Sequence, residues 1–289
     1  MGDGQISFSQ KYGYEDIPRQ LKLEELPKEA RTQIWNLFYL YFEESAVLPR
    51  LSMGRGEMGG PWKEISKSIH IGFDNLPLDE WDSGFEGFCQ NFRNRIESQP
   101  FHRVFDLIEF ILRHPTCPSH FVKNMRNVIV WSRVAYVLDL GPPPAIIPAV
   151  TPEEGASVVT SLQSLRQAGL IGSATHLREA SARLNEGDWA GSVQESIHAV
   201  ESVARLLDPD AAQTLGPALK SIDRRQPLHP ALKQGFASLY GYTADEQGIR
   251  HALLNQTDSK VGQDEAVFML GACASFTSYL CRKHVRGES

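Results

Sequence analysis

Arg250 and His251 are adjacent in the chain, inside the glycine-containing segment from 241 to 255. An imidazole titrates near neutral pH, so it can accept a proton and return it, while a guanidinium stays charged and can meet a phosphate with two hydrogen bonds. Metal-free cleavage of RNA needs one group to take the proton of the 2′-hydroxyl and a cation to stabilise charge on the phosphate. The pair therefore predicts phosphate chemistry, with a structural clamp of the turn as the alternative.

Four other residues are candidates for the same site. Glu195 lies on a predicted helix, where an inward carboxylate can pair with Arg250 across a bundle. This ion pair would either orient the guanidinium at a phosphate site or have only a structural role inside the bundle. Burial of the pair does not by itself distinguish the two roles. Tyr242, Gln247 and Asn255 flank the basic pair and are predicted to contact RNA by stacking and hydrogen bonding.

These residues are expected to be positioned by helices. Apolar residues recur at intervals of three and four residues through most of the chain, which is the pattern of an α-helix. A helix is predicted from Pro27 to about Ser45, and others over the aromatic stripes that follow, including one from Phe121 to Leu138. Residues 49 to 61 are predicted to form a loop. The β-branched residues around 141–144 predict a small β-hairpin. The fold class is therefore mainly α, with one β-hairpin in the N-terminal part.

The C-terminal part is predicted to be a bundle of helices. These are expected over 174–184, 189–207, 211–221, 230–240 and 264–283, with the first two forming a hairpin around 185–188. The glycine-rich break at 169–172 sets the predicted domain boundary, which gives an N-terminal domain at 1–172 and a C-terminal domain at 173–289.

Composition restricts the class of function. The net charge is -6, so a broad basic surface for nucleic acid is not expected and any RNA contact must be local. Cys89, Cys117, Cys273 and Cys281 lack the C-x-x-C spacing of metal sites, so we expect reduced thiols, no metal and no cofactor. The longest apolar run and the N-terminus fit neither a membrane span nor a signal peptide, which predicts a cytoplasmic protein with no membrane partner.

Two groups of segments resemble known families. The stretch 8–14 (FSQKYGY), followed by 31–37 (RTQIWNL), resembles the N-terminal domain of bacterial abortive-infection proteins of the AbiJ type. The segments 194–201 (QESIHAVE), 239–243 (LYGYT) and 248–253 (GIRHAL) resemble the HEPN-type domain that usually accompanies it. The resemblance implies phage defence, an all-α HEPN homodimer and a metal-independent ribonuclease, with RNA as substrate and a phage-derived or operon-encoded protein as partner.

The HEPN ribonuclease pattern is incomplete at the predicted site. The pattern has an Arg and a catalytic His separated by four to six residues, but the positions that follow Arg250 at this spacing are Asn255, Gln256 and Thr257. Either His251 takes over proton transfer, or the domain is a catalytically degenerate module that binds a partner, regulates or senses nucleotides. Arg224 and His229 satisfy the spacing, but the prolines that flank His229 favour a capping role.

Overall fold

The computed structural model describes residues 8–12, 14, 21–47, 56–149, 152–207, 229–245 and 261–287. The fold is mainly α-helical, as predicted, with a single two-stranded hairpin among the described residues. Contacts divide the chain into two compact units, Met1–Ile146 with Val150–Pro152 and Ile147–Ala149 with Glu153–Ser289. The boundary predicted at residue 172 lies within the second of these units.

The first unit contains α1 to α6, β1 and the start of β2. The elements are α1 (Phe8–Lys11), α2 (Lys28–Ser45), α3 (Gly60–Ser68), a π-helical turn (Ile69–Phe73), a 3₁₀ turn (Leu78–Glu80), α4 (Phe85–Ser98), α5 (Phe101–Leu112), α6 (Ser119–Trp131), β1 (Tyr136–Asp139) and β2 (Ala145–Pro148). The division falls within β2, because Ile147–Ala149 are assigned to the second unit.

Aromatic rings from four helices form the core of the first unit. Phe38 of α2 is fully buried, and its ring centroid lies 4.7 Å from that of Phe92 in α4 and 5.0 Å from that of Phe121 in α6. Trp62 of α3 meets Phe121 edge to face with a centroid separation of 4.9 Å. Tilted and edge-on contacts are the arrangements that the quadrupoles of aromatic rings favour, so these rings fix the packing of α2, α3, α4 and α6.

Arg31, in the segment that resembles AbiJ proteins, has a structural role here. Its guanidinium donates hydrogen bonds to the carbonyl oxygens of Leu26, Ile96 and Gln99, at 2.6 to 2.8 Å. The last carbonyls of a helix have no partner within the helix, and a cation there also meets the negative end of the helix dipole. Arg31 thus closes the C-terminal end of α4.

Two predicted boundaries in the first unit were wrong. The helix predicted from Phe121 to Leu138 ends at Trp131, because Arg133 adopts a left-handed backbone with φ of 52° and the chain then enters β1. Gly60 and Pro61, assigned to a loop, form the first turn of α3, where a proline is favourable because that turn's N–H groups need no partner within the helix.

Apart from the end of β2, the described part of the second unit consists of helices. They are α7 (Pro152–Gln167), α8 (Ile171–Asn185), α9 (Trp189–Leu207), α10 (Pro230–Asp245) and α11 (Gln263–Gly287). α8 and α9 form the predicted hairpin, and α11 packs along α9. The helix predicted over 211–221 lies outside the described residues.

The turn between α8 and α9 is short because Gly187 takes a left-handed conformation, with φ of 76°. The N–H of Asp188 then returns to the carbonyl oxygen of Arg183 at 2.9 Å, a bond that closes the C-terminal end of α8. Asp188 also caps α9, since its carboxylate accepts the N–H of Gly191 at 2.9 Å. α8 and α9 are therefore held antiparallel with a fixed register.

Candidate functional site

Glu195 is the one predicted site residue whose side chain falls within the described part of the chain. Arg250, His251, Gln247 and Asn255 lie outside the described residues, as does the side chain of Tyr242, although its backbone belongs to α10. The pairing of Glu195 with Arg250 therefore stays a prediction.

Glu195 lies on α9 and faces two histidines. Its Oε2 atom is 2.8 Å from Nδ1 of His176 on α8 and 3.7 Å from Nδ1 of His198, one turn further along α9. The two imidazole rings are edge to face, with centroids 5.4 Å apart. The carboxylate is only 14% exposed, whereas His176 and His198 are 39% and 37% exposed. One edge of the cluster is thus open to solvent, while the carboxylate is held inside it.

The other oxygen of Glu195 faces a cation. Oε1 lies 3.8 Å from Nη2 of Arg183, whose Nη1 is 2.8 Å from the Asp188 carboxylate and whose Nε is 3.6 Å from that of Glu179. The hydrogen bond with Asp188 raises the pKa of Arg183 above its ordinary value, so the guanidinium stays charged. Arg183 therefore fixes the orientation of Glu195 and leaves Oε2 directed at the imidazoles.

The turn after α8 makes this arrangement possible. Gly191 leaves the space that the pair of Arg183 and Asp188 occupies, because a Cβ atom there would lie 2.0 Å from Oδ2 of Asp188 and 2.8 Å from Nη1 of Arg183. Ser173 adds a contact at the other end of the hairpin, where its hydroxyl donates to the carbonyl oxygen of Ala199 at 2.8 Å. The register between α8 and α9 is therefore fixed at both ends of the hairpin, and this register sets the positions of His176 and Glu195.

Neither His176 nor His198 was among the predicted site residues. A signal was present in the spacing: His176 precedes Gly187 by eleven residues, and His198 follows it by eleven. In an antiparallel helical hairpin, residues equidistant from the turn lie opposite each other, so the predicted hairpin at 185–188 implied that the two histidines meet. His229 does resemble a cap, since its Nδ1 accepts the N–H of Ala231 at 3.3 Å.

The cysteines are free, as predicted, and do not have the character of nucleophiles. Burial raises the pKa of Cys89 to about 11 and that of Cys117 and Cys273 to about 12. These thiols are protonated at neutral pH, and the reactive species of cysteine is the thiolate. Covalent catalysis by these three residues is therefore not supported.

The first unit has a cleft of about 450 Å³ next to α4. Arg95 and Asp74 face each other at its wall in a two-pronged ion pair, with distances of 2.7 and 2.8 Å. Trp81 also lines it, and its buried Nε1 donor has no hydrogen-bond partner among the described residues. The cleft has the volume of a small-molecule site, and its lining mixes charged residues with apolar ones.

Among the described helices, none combines the length and apolar composition that crossing a bilayer requires.

Comparison with known proteins identifies a domain in the first unit. Residues 7–127 match the family model of AbiJ N-terminal domain 4. Neither the curated proteins nor the solved structures gave a significant match. The chain thus carries an AbiJ-type N-terminal domain, and the match ends before the hairpin and the second unit.

Proposed function

We propose that this chain is an abortive-infection protein of phage defence, whose N-terminal domain senses infection and whose C-terminal domain is a HEPN-type, metal-independent endoribonuclease. The match of residues 7–127 to AbiJ N-terminal domain 4 carries the defence role, because AbiJ proteins are abortive-infection proteins. The ribonuclease role is supported by the Arg250 and His251 pair and by the helical hairpin that carries Glu195.

In the proposed reaction, His251 takes the proton of a 2′-hydroxyl, and Arg250 stabilises the charge that develops on the phosphate. Glu195 acts through Arg250 as a positioning residue. Tyr242, Gln247 and Asn255 hold the RNA on either side of the scissile bond. The enzyme works as a homodimer through the C-terminal domain, in the cytoplasm, and is released by a phage-derived or operon-encoded protein.

The sensing role of the N-terminal domain is supported by the cleft beside α4. A cleft of about 450 Å³, lined by Trp81 and by the ion pair of Arg95 and Asp74, offers a small ligand both apolar and charged contacts. A trigger that binds there would contact Trp81 and this ion pair.

RNA cleavage by the purified chain tests the proposal. Bulk tRNA and mRNA are incubated with protein in EDTA, and the wild type is compared with Arg250→Ala, His251→Ala and the control His229→Ala. Removing a general base or an electrostatic stabiliser costs about 100-fold or more, so the first two variants should lose cleavage and the control should keep it. Cleavage retained in Arg250→Ala and His251→Ala would refute the assigned site.

The second candidate function is a HEPN module without catalytic activity that binds a partner, regulates or senses nucleotides. It is favoured by Asn255, Gln256 and Thr257 at the positions where a second histidine is expected, and by the net charge of -6. Phage plating separates the two. Protection that survives in Arg250→Ala, with no RNA cleavage by the wild type, would support the module and exclude the enzyme.

A further inference from the structure

We propose that His176, Glu195 and His198 form a binding site for a divalent transition metal of the zinc class, which bridges α8 and α9. The inference shares Glu195 with the proposed ribonuclease site, but it concerns metal binding and not cleavage, so the two proposals are tested by separate measurements.

The donor set suits such a metal. Two imidazole nitrogens and one carboxylate oxygen are a common set of protein ligands for zinc at catalytic centres, where a fourth position is left for water. A set of oxygen donors would instead favour magnesium or calcium, and only one of these three residues supplies oxygen. The exposed edges of His176 and His198 place the open position on the solvent side.

The distances are close to those of a tetrahedral centre. One ring nitrogen of His176, one ring nitrogen of His198 and a carboxylate oxygen of Glu195 all lie within 4.8 Å of one another. Zinc bonds of about 2.0 to 2.2 Å place the ligand atoms roughly 3.3 to 3.6 Å apart. The Oε2 atom of Glu195 is 2.8 Å from one Nδ1 atom and 3.7 Å from the other, so small adjustments of the side chains would bring these two distances into that range.

Arg183 supports the site and does not compete for it. Its guanidinium approaches Oε1 of Glu195, and the ligand atom is Oε2, so the carboxylate can bind a metal through one oxygen while the other is held. Partners that orient metal ligands in this way usually raise metal affinity. The charge of Arg183 is offset by Asp188 and Glu179, which reduces its repulsion of a bound cation.

Binding of zinc to the full chain, measured directly, tests the site. Protein dialysed against EDTA and then freed of chelator is titrated with zinc chloride by calorimetry, and with cobalt chloride by visible absorption. The wild type should bind one zinc at this site, and cobalt should show the intense bands of a four-coordinate centre. Zinc should also raise the melting temperature, because a ligand that binds only the folded chain stabilises it.

Variants locate the site. His176→Ala and His198→Ala should each weaken zinc binding at least about 100-fold, since loss of even an outer partner of a ligand costs 10- to 100-fold. The control His102→Ala removes an exposed histidine from α5 and should leave the affinity unchanged. Melting of the metal-free variants reports whether they fold, and His198→Gln offers a milder change if the alanine variant does not.

Three results would overturn the proposal. They are the absence of zinc binding by the wild type, binding that His176→Ala and His198→Ala leave intact, and a loss in only one of the two folded variants. A failure of RNA cleavage in EDTA bears on the ribonuclease alone, so the two hypotheses fail separately.

Discussion

The two units bury different kinds of side chain. The first unit fills its interior with large rings, among them Trp62, Phe38, Phe42, Phe92 and Phe121. In the described part of the second unit Phe276 is the only aromatic side chain that is fully buried, and most of the interior consists of alanine, leucine, valine and serine. Large rings fix the packing by their shape, whereas small residues fix it by letting helix backbones approach closely.

Some buried hydroxyls in the second unit are satisfied within their own helices. Ser181 and Ser196 donate to the carbonyl oxygens four residues earlier in their own helices, at 2.9 and 2.8 Å. Such bonds remove the cost of burying a hydroxyl without adding volume between the helices. We therefore expect the first unit to be destabilised most by substitutions that remove side-chain volume. The second unit should be destabilised most by substitutions that add side-chain volume.

The largest effect is expected for Trp62→Ala in the first unit. Trp62 is 1% exposed and contacts the rings of Phe42 and Phe121, so its removal leaves a large cavity. We expect a loss of about 3 to 5 kcal/mol in the free energy of unfolding, measured by urea denaturation with circular dichroism. Trp131→Ala is the control, because Trp131 is 49% exposed. Equal losses in the two variants would show that the ring cluster does not hold the unit together.

An intermediate effect is expected for Ala180→Leu in the second unit. Ala180 is fully buried on α8, and three added carbon atoms have no space there, so we expect a loss of about 1 to 3 kcal/mol. Ala182→Leu, on the exposed side of the same helix, should be close to neutral in the same urea titration. Equal stability of Ala180→Leu and Ala182→Leu would show that the packing of the second unit does not depend on close approach of its helices.

Much of the fold was predictable because proline and glycine mark the ends of its helices. α2 begins after Pro27 and α10 begins at Pro230, both at or within a residue of the predicted starts. The exit from α6 was not predictable from periodicity. Apolar residues continue through Val134 and Tyr136, so only the left-handed backbone at Arg133 separates the helix from β1.

The candidate site was predictable only in part. Glu195 was identified from its inward position on α9, but the partners that the structure gives it are His176, His198 and Arg183. These contacts depend on the register between α8 and α9, which the turn at Gly187 and the cap at Asp188 set. Helix periodicity predicts which face of a helix is buried, but not which residue of a neighbouring helix meets it.

The smallest effect is expected for Ser173→Ala, which tests whether a hydroxyl contributes to the contact between α8 and α9. Its bond to the Ala199 carbonyl joins two helices, whereas the bond of Ser181 stays within α8. We expect Ser173→Ala to cost about 0.5 to 1.5 kcal/mol of unfolding free energy, the usual net contribution of one hydrogen bond. Ser181→Ala should be nearly neutral, because alanine has the higher helix propensity and the lost bond is local.

The difference in unfolding free energy between Ser173→Ala and Ser181→Ala, measured by urea titration, gives the part of the hairpin's stability that depends on a polar bond between helices. A Ser181→Ala loss as large as that of Ser173→Ala would mean that the polar bond between the helices has no special weight.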